Sequence, residues 1–181
     1  MKMTPLRKLG IVVAVQLAVL FSVIAFKQYT VWTGETVLLK VQPVDPRDPF
    51  RGDYTTVRYE ISNLSSELVY RDGGGIDGSA FIELREGDDG YWRAVAVHDN
   101  RERDFDDSVI VKGKPDYSRF NRDTISFVYG IEELFIPEGS GNQLPFGPDH
   151  TIAVAIKVDR FGNAIPRYFV VDGERLELQR R

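Results

Sequence analysis

The chain has 181 residues and a formal net charge of −4, from 23 Lys and Arg against 27 Asp and Glu. With 43% apolar and 28% charged residues it has the composition of one folded domain, which excludes a disordered tail, a collagen-like repeat and a strongly basic nucleic-acid binder. It has no cysteine and only two histidines, His98 and His150, which excludes a disulfide framework, a thiolate zinc site, a cysteine nucleophile and most histidine-based metal sites.

The first element is LGIVVAVQLAVLFSVIAF, Leu9 to Phe26, which carries no charge. As a helix at 1.5 Å per residue it is about 27 Å long, enough to cross a hydrocarbon core of about 30 Å. Lys2, Arg7 and Lys8 precede it and Lys27 follows. The positive-inside bias therefore places the N-terminus in the cytoplasm and the rest outside the cell membrane. A cleaved signal peptide is the competing reading, with Val23-Ile24-Ala25 as the small-residue site; the apolar core is longer than a usual signal core, which favours an uncleaved single-pass anchor. A buried helix of a soluble protein would show a polar face, and this segment has none. The expected organisation is a cytoplasmic N-terminus and transmembrane anchor over 1–27, a juxtamembrane linker over 28–35 with Tyr29 and Trp32 at the interface, and an exported domain over 36–181. The chain beyond Phe26 keeps 20 basic against all 27 acidic residues, a net −7, so nucleic acid is not an expected partner.

From Thr36 onward the apolar residues recur every second position, the period of a strand. The runs are Val37, Leu39 and Val41; Thr55, Val57, Tyr59 and Ile61; and Ala80, Ile82 and Leu84. Asp88-Asp89-Gly90 then turns the chain into Tyr91 to Val97, a β-hairpin. Val109 to Lys112, Thr124 to Tyr129, Ile152 to Val158 and Ala164 to Val171 complete the set, with Arg160-Phe161-Gly162-Asn163 as a hairpin loop and Asp172-Gly173 as a further turn. One or two helical turns are expected within Ser62 to Tyr70 and another within Ile131 to Phe135, before Pro137. The expected fold class is mainly β: one N-terminal transmembrane helix followed by a β-rich sandwich or partly open barrel.

The most unusual stretch is VDPRDPFRGDYTTVRYEI, Val44 to Ile61. Pro46 and Pro49 hold Asp45 and Asp48 extended, Gly52 frees the entry into the strand, and Asp53 can accept nearby amides. Gly52-Asp53-Tyr54-Thr55-Thr56-Val57-Arg58-Tyr59 resembles the motif of the GDYXXLXY protein family, with Val57 in the leucine position. Tyr129-Gly130-Ile131-Glu132-Glu133-Leu134-Phe135-Ile136-Pro137-Glu138-Gly139 resembles that family's second block. The resemblance implies a membrane-anchored β-rich domain that accompanies a polytopic membrane protein, and implies no particular chemistry. The candidate binding surface is Arg47, Asp48, Arg51, Gly52, Asp53, Tyr54 and Tyr59, joined by Tyr129, Gly130, Glu132, Pro137, Glu138 and Gly139. The two blocks are expected to lie together; a catalytic site is expected to gather an acid, a base and a concave pocket around the motif, and a docking module to show a flatter patch near the membrane-proximal face.

The alternative is an inactive or unrecognised hydrolase with a signal-peptidase-like β-fold. Val111-Lys112-Gly113 and Ile136-Pro137-Glu138-Gly139 are faintly similar to the later blocks of those enzymes, yet no serine stands upstream of Gly52 in the run from Asp45 to supply the nucleophile. His98 and His150 are expected at strand ends rather than in a triad. The acidic stretches His98 to Ser108 and Asp72 to Gly78 lack calcium-loop spacing, and the glycine runs Gly73-Gly74-Gly75 and Gly139-Ser140-Gly141 lack the strand-to-helix setting of a phosphate cradle. No catalytic residue, metal or cofactor is expected. The expected partners are the lipid bilayer, through residues 9–26, and a polytopic membrane protein.

Overall fold

The computed structural model describes residues 4–42, 54–70, 78–100, 107–119, 123–135, 144–145, 147 and 149–177. Helix α1 (Pro5–Thr33) opens the chain, with proline in its first turn, where the missing amide costs nothing. It is long and apolar enough to cross a membrane, and its apolar stretch is wholly uncovered by the rest of the chain. The helix continues through the stretch expected as a linker, because nothing between Gln28 and Thr33 breaks it. Gly34 then passes the chain, in extended conformation, directly into β1 (Glu35–Gln42).

Twelve further strands follow: β2 (Tyr54–Thr56), β3 (Arg58–Tyr59), β4 (Asn63–Ser65), β5 (Val69–Tyr70), β6 (Ala80–Glu86), β7 (Trp92–His98), β8 (Val109–Asp116), β9 (Thr124–Val128), β10 (Glu133–Phe135), β11 (Ile152–Val158), β12 (Ala164–Val171) and β13 (Glu174–Arg175). One antiparallel sheet runs β13-β12-β11-β1-β3. The other runs β4-β9-β8-β6-β7, antiparallel, with β5 added parallel to β7 at its edge. The pair β10-β2 stands apart as a two-stranded ladder. The result is an open, sandwich-like β-domain behind a long apolar helix.

The period-two pattern works as expected. Val37 and Leu39 of β1 with Val154 and Ile156 of β11 face Ile82 and Leu84 of β6, Val97 of β7, Val111 of β8 and Phe127 of β9 in one buried core. Each such aliphatic side chain removed from water contributes about 1.5–3 kcal/mol, which makes this layer the main source of cohesion between the sheets. β11 is buried on both faces. Its reverse face presents Ala153 and Ala155, fully covered together with Val170 by Leu38, Tyr91 and Tyr168. Tyr91 reaches there from the β6–β7 turn, where Lys40 lies 4.6 Å above its ring and bonds Asp89 at 3.0 Å.

One local expectation changes. Ile131 to Phe135 is not helical: its last three residues form β10, because Tyr54–Thr56 offers them a ladder that no local pattern reveals. The helical turns expected over Ser62 to Tyr70 are there as a 3₁₀ turn at Ser66–Leu68 and another, ending at Ser62, at Glu60–Ser62, separated by β4.

Candidate functional site

Of the thirteen residues expected at a binding surface, Tyr59, Tyr129, Gly130 and Glu132 are described in full and Tyr54 by its backbone. Arg47, Asp48, Arg51, Gly52, Asp53, Pro137, Glu138 and Gly139 lie outside the described residues, as do the acidic and glycine-rich stretches at 71–77, 101–106 and 139–141.

The described members of the two blocks meet. β2 and β10 pair antiparallel, with Phe135 opposite Tyr54, Leu134 opposite Thr55 and Glu133 opposite Thr56. The ladder continues one step beyond the strands, where the Val57 amide donates to the Glu132 carbonyl at 2.8 Å. Val57 and Tyr59 then point inward and are buried, while Thr56 and Arg58 face out.

Below the ladder, two phenols tie the blocks together. Tyr59 is fully buried and its hydroxyl donates to the Ile131 carbonyl at 2.7 Å. The Tyr129 hydroxyl donates to the Ile61 carbonyl at 2.6 Å. Each block thus satisfies a backbone acceptor of the other, at a depth where an unpaired carbonyl is costly. Gly113 of β8 makes room for the second ring, since a Cβ there would come 3.0 Å from a Tyr129 ring carbon. Burial pushes both phenols above their ordinary pKa range, and the negative charge of Glu132 adds to the shift.

Glu132 is placed by the turn that precedes it. Gly130 has φ +76, a left-handed conformation natural to glycine, and folds the chain so that Glu132 Oε1 accepts the Tyr129 amide at 2.6 Å. Glu133, its neighbour, faces solvent, so the adjacent carboxylates do not converge.

A pocket of about 230 Å³ opens beside this junction, with Thr56, Arg58, Asn63, Asp116, Ser126 and Glu132 among its walls. It combines one guanidinium with two carboxylates. Its two serine hydroxyls help hold the walls: Ser126 Oγ donates to Asn63 Oδ1 at 2.8 Å, and Ser62 Oγ accepts the Tyr59 amide at 3.1 Å. An amide oxygen cannot act as a base toward Ser126, so the pocket offers charge and hydrogen-bond recognition rather than an activated nucleophile. Lys112, the other residue of the hydrolase alternative, is exposed on β8 beside the β11–β12 turn, where its amide donates to the Gly162 carbonyl at 2.8 Å.

The pocket sits at the far end of β1 from the helix. Val41 pairs with Tyr59, six residues beyond Glu35, or about 20 Å along the strand. The two motif blocks thus meet at the end of β1 away from α1, around a concave pocket rather than a flat patch.

The histidines each meet a carboxylate away from the pocket. His98 Nε2 lies 3.3 Å from the buried Glu83, and His150 Nδ1 lies 2.7 Å from Asp172 on the surface. The His150 contact and the Thr151 amide hold the Asp172 carboxyl below its usual range. Among the described residues no group of three His, Asp or Glu side chains converges as a metal site would require.

The junction between helix and domain was not expected from sequence. Thr30 is buried and its hydroxyl donates to Asp159 Oδ2 at 2.6 Å. Asp159 is itself 2% exposed. Burial alone would raise its carboxyl, but hydrogen bonds from Thr30, from the Asn163 side chain and from the Asn163 and Phe161 amides outweigh that and hold it below the usual range. The Gly34 amide donates to the Thr30 carbonyl at 3.0 Å, and Lys157 Nζ donates to the Gly34 carbonyl at 2.9 Å. The separation of Thr30 and Asp159, 129 positions, hides this contact from any local pattern.

Comparison with known families matches residues 16–169, from inside α1 to Phe169 of β12, to the model described as GDYXXLXY protein. No curated protein and no solved structure matches.

Proposed function

The chain belongs to the GDYXXLXY protein family, and on that premise we propose that it is a single-pass, membrane-anchored interaction module for a polytopic membrane partner. The observation that carries this reading is the junction of the two motif blocks. Ladder, crossed phenols and pocket bring them into one rigid feature whose outward groups, Arg58, Glu132 and Asp116, suit recognition of a polar polypeptide segment. Lys2, Arg7 and Lys8 against Lys27 support a cytoplasmic N-terminus and an extracytoplasmic domain. A site about 20 Å along β1 from the helix exit suits an extramembrane loop of the partner better than its spanning helices.

The test is photo-crosslinking in intact membranes from a probe at position 58, compared with a probe at position 174. Adducts with one multi-span membrane protein from position 58 alone, lost in Glu132→Gln, would support the reading. Equal adducts from both positions, or none from either, would overturn it.

A further inference from the structure

We propose that the β11–β12 turn, Arg160 to Asn163, is a second membrane contact that rests on the anionic headgroup layer of the bilayer. The inference builds on the reading of α1 as a membrane-crossing helix. With the charge-free segment ending at Phe26, Thr30 lies about 6 Å further along the helix, and Trp32 about 9 Å, which is the depth of the headgroup region. The domain is locked to the helix at that level, because Thr30 is bonded to Asp159. The turn following Asp159 is therefore held at the membrane surface by geometry, whatever else the domain does.

The side chains there suit such a surface. Trp32 is 79% exposed and Phe161 40% exposed. The Tyr29 and Phe161 rings lie 6.3 Å apart, and the Arg160 guanidinium sits 5.9 Å from the first and 4.7 Å from the second. Lys27 and Lys112 are exposed, as are the carboxylates of Glu35 and Asp107, while that of Asp159 is buried and taken up by the amides of the turn itself. Aromatic rings interleaved with cations are what the interfacial belt and an anionic leaflet select.

The turn is also rigid. The Phe161 and Asn163 amides both donate to Asp159 Oδ1, at 2.8 and 3.0 Å. Gly162 has φ +82, and its Cα approaches β8 so closely that a Cβ would meet the Ile110 carbonyl oxygen and the Lys112 amide at 3.2 Å. A pre-formed loop loses little entropy on contact, so it can add to binding without first being ordered.

The absence of cysteine permits a clean test on the full chain. Phe161→Cys, Arg160→Cys and, at the other end of the β11–β12 hairpin, Glu174→Cys are labelled with a small environment-sensitive fluorophore. The chain is reconstituted in phosphatidylcholine vesicles with and without phosphatidylglycerol. The labels at 161 and 160 should be quenched by iodide several-fold less than the label at 174. Nitroxides carried near the lipid headgroups should quench them more, and phosphatidylglycerol should increase that effect. Equal iodide access at all three positions, in a chain that stays with the vesicles through an alkaline wash, would overturn the surface contact alone. Loss of the chain from the vesicles in that wash would overturn the crossing helix as well.

Discussion

Tyr59 and Tyr129 hold the two halves of one signature by exchange: the hydroxyl of each donates to a main-chain carbonyl two residues from the other, Ile131 and Ile61. The tyrosine that ends the first block is thus a core residue. Thr56, Arg58 and Glu132 lie outside that core, on the walls of the pocket.

Removing either hydroxyl strands a buried carbonyl. Tyr59→Phe and Tyr129→Phe should each destabilise the domain by about 1–3 kcal/mol, with little change in shape. Denaturant unfolding of the full chain in detergent, followed by the fluorescence of the buried Trp92, measures this. Midpoints equal to the unsubstituted chain would show that water or a second donor replaces the phenols.

The same pair governs the alkaline limb. Both phenols have folded pKa values raised above the unfolded value near 10, so their contribution is complete below about pH 10 and is lost as pH rises towards the folded values. Absorbance titration should find that two of the eight tyrosines ionise only as the domain unfolds. Ionisation of all eight in one smooth step with the fold intact would contradict their burial.

Asp159 behaves in the opposite sense. Its folded pKa is depressed, so it stabilises fully above about pH 4 and that contribution is lost as pH falls through the lower folded value. Thr30→Val removes one of its donors and should cost about 1–2 kcal/mol near neutral pH. It should also make the acid-side loss shallower than in the parent, since less of the depression remains. An unchanged acid limb would show that Asn163 and the turn amides suffice.

Two glycines separate steric from torsional demands. At Gly34 the φ is ordinary, but a Cβ would collide with the carbonyl oxygens of Thr30 and Val158, both backbone. Gly34→Ala should therefore open the helix–domain junction at a cost of about 1–3 kcal/mol and expose the residue-34 amide to hydrogen exchange. At Gly130 nothing lies within 4 Å and only the φ of +76 matters. Gly130→Ala should cost about 1 kcal/mol globally while the residue-34 amide stays protected. Equal exchange at residue 34 in both variants would refute the distinction.

What the sequence disclosed was what repeats locally. Val37 and Leu39, or Ile82 and Leu84, announce a strand through their neighbours, and Gly162 announces a turn by being the one residue that fits there. The apolar helix is equally plain. Contacts between distant positions were hidden. Ile131, Leu134 and Phe135 carry the apolar spacing of a helical turn, and Glu133 to Phe135 becomes a strand only because Tyr54 to Thr56 lies beside it. Thr30 is one modest hydroxyl on an apolar helix until Asp159 arrives. Two resembling blocks in order could suggest that they meet, but not that their tyrosines would be the buried means of joining them.

The lock at Thr30 also makes the anchor a spindle. On the proposed reading of α1 as a crossing helix, each helical residue turns the chain by about 100°, so adding or deleting one residue in the apolar stretch before Phe26 would swing the whole domain about the membrane normal while Tyr29, Thr30 and Gly34 keep their contacts with it. The compass bearing on which the Arg58–Glu132 pocket opens is therefore written in the register of a helix that is not among its walls.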